Sequence, residues 1–309
     1  MNLQKEPFDC WRKERQVGAD RFLTIDVGGT FIKYSIMDQD YQIFDDGSLA
    51  TCRDPNEFLE QLKKLVLHYK DQVEGAAVCI AGFIDPLTGV NSDYSVGLNF
   101  RSFNLKKELS ETGEFPVILE NDCNCAVIGE MTAGAARGMS DIALLTFGTG
   151  IGGAVALNGK LYRGRHNKAG EAGFMKFYCS DSKKSESMES IGATSVLVKE
   201  VSAALHHTVD GIYIFEHLNQ EKINEIYSSW IQKAAVLTGN AAVLLDPEVV
   251  LIGGGICRQE RFIHDLRSGI YQIFPHLEKY TEIKACETGN HAGRIGALFL
   301  LLEKYGRDN

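Results

Sequence analysis

The stretch from Arg21 to Gly47, RFLTIDVGGTFIKYSIMDQDYQIFDDG, decides the fold. Arg21 to Val27 is a short apolar run of strand type, and Gly28-Gly29 interrupts it. Phe31 to Met37 resumes as a second strand, a polar turn follows, and Tyr41 to Phe44 reads as a third. Strand, glycine turn, strand, polar turn and strand make a β-meander. Downstream, Pro55 opens a helix whose apolar residues Phe58, Leu62, Leu65, Val66 and Tyr69 recur at helical spacing. The continuous apolar run Gly75 to Ile80 then predicts a buried strand, so an α/β half-domain takes shape.

The opening is repeated further along. DIALLTFGTGIGGAVALNGKLYRG predicts a strand over 142–147, a glycine turn, a strand over 153–157, an Asn158-Gly159 turn and a short strand over 160–162. Gly28 and Gly148 are 148 − 28 = 120 residues apart. Two copies of one strand–turn–strand unit predict duplicated α/β domains with a cleft between them. A long helix is expected over 222–245, with Ile223, Ile226, Trp230, Ala234, Leu237, Ala241 and Leu244 on its apolar stripe. Asp246-Pro247 ends it, EVVLI forms a strand, Gly253-Gly254-Gly255 breaks that strand, and an apolar helix over 292–303 closes the chain. The expected domains are a polar arm at 1–20, α/β domains at 21–120 and 121–290, and a C-terminal helix at 291–309 available to pack back on the first domain.

Composition narrows the function. With 309 residues, 44% of them hydrophobic and 24% charged, the chain has the makings of a substantial core. Lys and Arg against Asp and Glu give 32 − 41 = −9, the opposite of a nucleic-acid footprint. The first 20 residues are too few for a DNA-binding domain. No apolar run approaches the roughly 18 residues of a membrane span, and MNLQKEPFDCWRKERQ lacks the core of a signal peptide, so a cytoplasmic protein without membrane or nucleic-acid partners is expected. Eight scattered cysteines (Cys10, Cys52, Cys79, Cys123, Cys125, Cys179, Cys257 and Cys286) read as reduced thiols. Glycine, at 31 residues against 6 prolines, exceeds its usual share of about 7%, which says that backbone must approach something closely.

The turn Asp26-Val27-Gly28-Gly29-Thr30 suits a phosphate clamp, because backbone lacking Cβ presents N–H groups and Thr30 adds a hydroxyl; a plain tight hairpin fits it as well. Gly148-Thr149-Gly150-Ile151-Gly152-Gly153 matches the spacing of a dinucleotide-binding turn, but that turn must open a helix. Here AVAL before Asn158-Gly159 reads as a strand entering a hairpin, so the loop is a second clamp of the first kind. Gly253-Gly254-Gly255 at a strand end supplies a third glycine loop.

With these motifs in order the chain resembles sugar kinases of the ROK family (repressor, open reading frame, kinase), over nearly all of residues 21 to 303. The marks are DVGGT at 26–30, LENDCNC at 119–125, GTGIGG at 148–153, AGEAGF at 169–174 and LIGGGI at 251–256. The resemblance implies the actin-like ATPase (ribonuclease H-like) fold, ATP and Mg²⁺ as cofactors, and transfer of a phosphoryl group to a hexose or hexoside hydroxyl, at C6. It implies Asp122 as general base and Asn121 as its sugar-binding partner, with Glu171, Glu189, Gly82 and Phe174 also on the sugar side. On the nucleotide side it implies Asp26, reaching Mg²⁺ through water, with Gly28, Gly29, Thr30, Lys33, Gly148, Thr149, Gly150, Gly152, Gly254 and Gly255. Asp122 falls between the strand PVILE and a helix, a place that also suits a helix cap.

In one respect the chain departs from that pattern. Many members build a zinc site from the histidine of G-E-x-G-H and a C-x-C-G-x-x-G-C run, whereas this chain has Phe174 followed by FYCSDSKKSESME. Four tetrahedral ligands cannot be assembled, and Cys123 and Cys125, two apart on a helix, point away from each other, so no zinc site is expected. His166, His206, His207 and His217 show no pattern of catalytic partners. Phe174 exchanges a polar contact at the anomeric end of the sugar for an aromatic wall, which favours a glucose or β-glucoside substrate, with N-acetylmannosamine kinase and a kinase-dead sugar-responsive regulator as alternatives. The partner is a small sugar, and a homodimer is left open.

Overall fold

The computed structural model describes residues 20–91, 103–179 and 183–306. The expected arm, apart from Asp20, and Cys10 lie outside them. The chain divides into two compact units: one takes the described residues up to Ala133 and again from Thr288 onward, the other is Gly134–Glu287. The sequence placed these divisions at 120 and 290. The difference is mainly the helix Asp122–Ala133, which belongs to the first unit.

In the first unit, β1 (Arg21–Val27), β2 (Phe31–Asp38) and β3 (Ile43–Ala50) form the antiparallel meander, and β4 (Gly75–Ile80) and β5 (Val117–Asn121) extend β1 in parallel, giving the order β3-β2-β1-β4-β5. The third strand runs Ile43–Ala50, not Tyr41 to Phe44. Tyr41 has φ +64° and belongs to the turn, where its N–H reaches the Asp38 carbonyl. The sequence does not mark the course of this strand beyond Phe44, because it is the sheet edge and its side chains IFDDGSLA are mostly exposed, without apolar alternation. Helix α1 (Pro55–Tyr69), capped by Asp54 accepting from the Asn56 and Glu57 amides, buries all five of its expected apolar residues on this sheet.

Helix α2 (Leu105–Gly113) precedes β5, and α3 (Asp122–Ala133) follows it directly. The C-terminal helix Ala292–Tyr305 packs on α3 and β4 within this unit. Two buried charges fasten it. Glu130 of α3 accepts the Thr288 N–H at 2.9 Å, and Arg294 donates to the Tyr34 carbonyl at 2.9 Å and to Asp46 Oδ1 at 2.5 Å.

The second unit repeats the plan. Strands β6 (Ile142–Phe147), β7 (Ile151–Leu157) and β8 (Lys160–Leu161) form the meander, and β11 (Val249–Gly253) and β12 (Glu282–Ala285) extend β6 in parallel. The order β12-β11-β6-β7-β8 reproduces the first sheet strand for strand. Between the meander and β11 lie a hairpin, β9 (Lys176–Cys179) with β10 (Lys184–Ser187), and helices α4 (Met188–Gly192), α5 (Thr194–Leu205), α6 (Gly211–Glu216) and α7 (Glu221–Leu245). Helix α8 (Glu260–Ile273) separates β11 from β12. The stripe of α7 is buried at Ile223, Trp230, Ala234, Leu237 and Ala241 and half-buried at Ile226, but Leu244 is 79% exposed. In the last turn Leu245, not Leu244, lies on the core face, one residue before Asp246 leaves the helix at φ +47°.

Trp230 is wholly buried beside Phe147 and Phe262, with ring centroids 6.3 and 5.6 Å away, and its indole N–H donates to the Ala193 carbonyl at 3.1 Å. Burying a ring of this size contributes about 1.5–3 kcal/mol. Phe147, which these rings hold, is the last residue of β6 and the base of the glycine turn.

Candidate active site

In sheets with parallel strands, ligands bind beyond the strands' carboxyl ends. The residues singled out from the sequence stand there in each unit. In the first unit Asp26 is near the end of β1, Gly82 follows β4, and Asn121 and Asp122 end β5 and begin α3. In the second, the turn at Gly148 follows β6, and Gly254 and Gly255 follow β11.

The β5–α3 junction separates two roles that the sequence left merged. Asn121 Oδ1 accepts the Asn124 N–H at 3.0 Å and so caps α3, while its Nδ2 donates to the Gly82 carbonyl at 3.1 Å. Gly82 has φ +128°, a turn conformation that L side chains rarely adopt, and a Cβ there would lie 2.7 Å from Asn91 Nδ2. With Asn121 on the cap, Asp122 accepts the amide next to it, Cys123 N–H at 2.9 Å. Its carboxyl is pushed above the ordinary 3.8, first by burial and then by the charge of Asp26, against the stabilising Cys123 amide. Asp26 is raised as well, by burial, against the pull of Lys33, its cross-strand partner. Lys33 Nζ reaches Asn290 Oδ1 at 3.1 Å.

Two half-buried carboxylates, both raised in proton affinity by burial, fit a divalent cation, whose charge would relieve both and which the carboxylate of Asp26 could hold.

The first glycine turn is closed by Gly28 N–H donating to the Phe31 carbonyl at 3.0 Å, and both Gly29 and Thr30 are exposed. In the second, Gly148 N–H donates to the Gly150 carbonyl at 3.0 Å, Ile151 N–H to Glu189 Oε2 at 3.2 Å, and Gly152 N–H to Thr146 Oγ1 at 3.2 Å. The amides of Gly148 and Gly152 therefore serve the protein itself, whereas those of their neighbours Thr149 and Gly150 donate no such bond among the described residues. Gly150 is glycine for a reason the sequence did not reveal: a Cβ on it would sit 2.3 Å from Glu189 Oε2. Gly254 (φ +92°) closes on the same turn, since its Cβ would lie 2.1 Å from the Phe147 carbonyl oxygen; Gly255 has open space.

Glu189 is in the first turn of α4, exposed, and rests against Gly173, whose Cβ would come within 3.4 Å of it. Thus the structure brings GTGIGG, the AGEAGF turn and Glu189 together, with Glu171 half-buried and Phe174 65% exposed in that turn. Missed from the sequence were Thr51 and Ser195. Thr51 binds the Gly28 and Thr30 carbonyls of the first turn, and Ser195 binds the Gly148 and Thr149 carbonyls of the second. No pattern marks a single hydroxyl residue outside a motif.

Six described cysteines form no disulfide, and the side chain of Cys179 is outside the described ones. His217 stacks on Tyr213 with centroids 3.9 Å apart, and His206 is the left-handed residue ending α5. No described helix is long and apolar enough to cross a membrane.

Comparison with known proteins gives this architecture its relations. An uncharacterized protein of Clostridium perfringens is 31% identical over 301 residues, covering 93% of this chain and 99% of its own. A β-glucoside kinase of Listeria monocytogenes is 29% identical over 305 residues, with the same coverage. A glucokinase of Halalkalibacterium halodurans is 28% identical (93% of this chain, 96% of its own), and an N-acetylmannosamine kinase of Vibrio cholerae 27% (81% and 89%). Among solved structures, a ROK family protein of Streptococcus pneumoniae in complex with sucrose superposes with a TM-score of 0.82 at 29% identity, over 92% of this chain and 98% of that one. The fold is the actin-like ATPase fold of such proteins, and relatives named as sugar kinases support a sugar-kinase function. The ROK family model matches residues 22–304, and the chain belongs to the ROK family.

Proposed function

We propose that the chain is an ATP-dependent kinase that phosphorylates the C6 hydroxyl of a hexose or hexoside, of glucose or β-glucoside type. The observation that carries this reading is the division of labour at the β5–α3 junction. Asn121 caps the helix, so the carboxylate of Asp122 is not used up as a cap and stands at a strand end with a raised proton affinity. A carboxylate placed so is suited to orient a sugar hydroxyl and take its proton. Phosphoryl transfer passes through a loose transition state, so positioning and electrostatics supply most of the rate.

Asn121, Glu171 and Glu189 are the sugar-hydroxyl partners in this reading. The Asn121 amide is already oriented by Gly82, and Glu189 by Ile151. Gly29, Thr30, Thr149 and Gly150, with Gly254 and Gly255, bound the nucleotide phosphates. Bound at Asp26, Mg²⁺ would supply neutralisation of the phosphate charge. Phe174, exposed and apolar, offers the anomeric end of the sugar a surface without donor or acceptor, which fits a substituted anomeric oxygen.

The test is sugar-dependent ADP release by the full chain with ATP and Mg²⁺, over glucose, cellobiose and N-acetylmannosamine. Turnover with glucose or cellobiose above N-acetylmannosamine is expected. Preference for N-acetylmannosamine would move the assignment to that kinase. Sugar binding without ADP release from any of them would leave a non-enzymatic sugar-responsive protein.

A further inference from the structure

Both glycine turns are held from behind by one hydroxyl residue that uses its backbone amide and its side chain together. At the first turn Thr51 Oγ1 donates to the Gly28 carbonyl at 2.8 Å and Thr51 N–H to the Thr30 carbonyl at 2.9 Å. At the second turn Ser195 N–H donates to the Gly148 carbonyl at 3.1 Å and Ser195 Oγ to the Thr149 carbonyl at 2.7 Å. The two residues come from unrelated places: Thr51 follows the edge strand β3, and Ser195 is in the first turn of α5.

A trans peptide fixes the consequence, because its C=O and the next residue's N–H point in opposite directions. All described peptide bonds are trans. With the Gly28 carbonyl drawn to Thr51, the Gly29 N–H is turned away from it. With the Gly148 and Thr149 carbonyls drawn to Ser195, the N–H groups of Thr149 and Gly150 are turned away together, two successive donors on one side. Successive amides aimed one way form a concavity for anions. The remaining amides of the second turn, those of Gly148, Ile151 and Gly152, are engaged within the protein. The hydroxyl anchors therefore select which amides face a phosphate.

We propose that Thr51 and Ser195 are positioning residues for the nucleotide, each setting the peptide planes of one glycine turn without touching the ligand. The proposal rests on the kinase reading above and adds two residues to it. Without the hydroxyl, a turn keeps one of its two anchoring bonds and samples orientations in which its donors are misaimed. The loss of one neutral hydrogen bond corresponds to about a fivefold change in affinity.

The experiment is calorimetric titration of the full chain with AMPPNP and Mg²⁺, for the unaltered protein and for Thr51→Val, Ser195→Ala, Thr51→Ser and Ser195→Thr, with thermal unfolding of each. Thr51→Val and Ser195→Ala should each weaken AMPPNP about fivefold, with the KM of the best-used sugar among glucose, cellobiose and N-acetylmannosamine unchanged. The hydroxyl-retaining variants should bind within about twofold of the unaltered chain. Unchanged AMPPNP affinity in Thr51→Val or Ser195→Ala overturns the assignment for that turn, as does an equal loss in the hydroxyl-retaining variant, which would make the residue structural. An unaltered chain that binds no AMPPNP sinks the kinase reading together with the proposal, a result distinct from variants that bind as well as the unaltered chain.

Discussion

The turns Val27–Phe31 and Phe147–Ile151 occupy the same place in two sheets of the same strand order, yet they keep different company. Two residues before the first glycine, the first turn has Asp26 and the second has Thr146, whose hydroxyl is engaged with the Gly152 amide. Beside the first stands a second carboxylate, Asp122, whose proton affinity is raised by burial and by the charge of Asp26. Beside the second stands Glu189, whose Oε2 is tied to the Ile151 amide and fills the space in front of Gly150. Both copies keep the backbone device, and each is held by a hydroxyl anchor from a different element. What diverged is the charge: one copy keeps carboxylates poised at a strand end, the other makes a fixed backbone cradle.

If that difference matters, the largest effect belongs to the first copy. Asp122→Asn keeps the Cys123 contact and the shape but removes the proton acceptor, and kcat should fall about 10²–10⁴-fold. Turnover within tenfold of the unaltered chain would reject Asp122 as the base. The same carboxyl sets the pH dependence. Its folded-state pKa is raised, so kcat/KM should decline as pH falls through a value above the ordinary 3.8.

Stability carries the opposite sign. Because the folded chain holds this proton to higher pH than the unfolded chain, stability is lost as pH rises from the ordinary carboxyl range through the raised value. Above the raised value that loss is complete. Asp122→Asn removes it, and Tm at pH 7 should rise by about 2 °C, with the gain vanishing near pH 3. A Tm that falls at pH 7 would show the carboxylate to be a structural asset.

A smaller effect separates the glycines. Neither Gly29 nor Gly150 has a left-handed φ, so space alone decides the outcome of an added Cβ. Gly29→Ala meets nothing within 4 Å, whereas Gly150→Ala meets Glu189 Oε2 at 2.3 Å, the movable end of a side chain. The carboxylate should swing aside at little cost in Tm, taking a sugar contact with it. The expected result is a sugar KM raised about tenfold in Gly150→Ala and within twofold in Gly29→Ala. Equal effects at both sites would erase the distinction between the turns.

The parts of this arrangement that the sequence revealed share a physical cause. Strands β4, β6 and β11 are buried on both faces, so their apolar runs have no other reading, and the glycine turns are visible because a strand cannot continue through them. The edge strand β3 was misplaced because only its backbone pairing defines it. Asn121 and Asp122 were both visible at the strand end, but which of them caps the helix depends on side-chain direction, which spacing does not encode. The approach of Glu189 to Gly150 joins residues 39 apart, 189 − 150, and no local pattern announces it.

The smallest effect tests the surface beside the cradle. Phe174 ends the short turn Ala172–Phe174, next to Gly173 and Glu189, with its ring 65% exposed. A ring so exposed contributes little to the core, so Phe174→His should leave Tm unchanged within about 1 °C. Histidine restores a donor and acceptor that can engage a free anomeric hydroxyl, whereas a substituted anomeric oxygen can only accept and brings added bulk. Partial exposure limits the discrimination to roughly 1 kcal/mol, about fivefold in the ratio of kcat/KM for glucose over cellobiose. The measurement is that ratio in both proteins, with N-acetylmannosamine as a third substrate that keeps its anomeric hydroxyl. Glucose and N-acetylmannosamine should gain together against cellobiose. If all three move in parallel, position 174 is packing alone, and the difference between the two copies ends at Glu189.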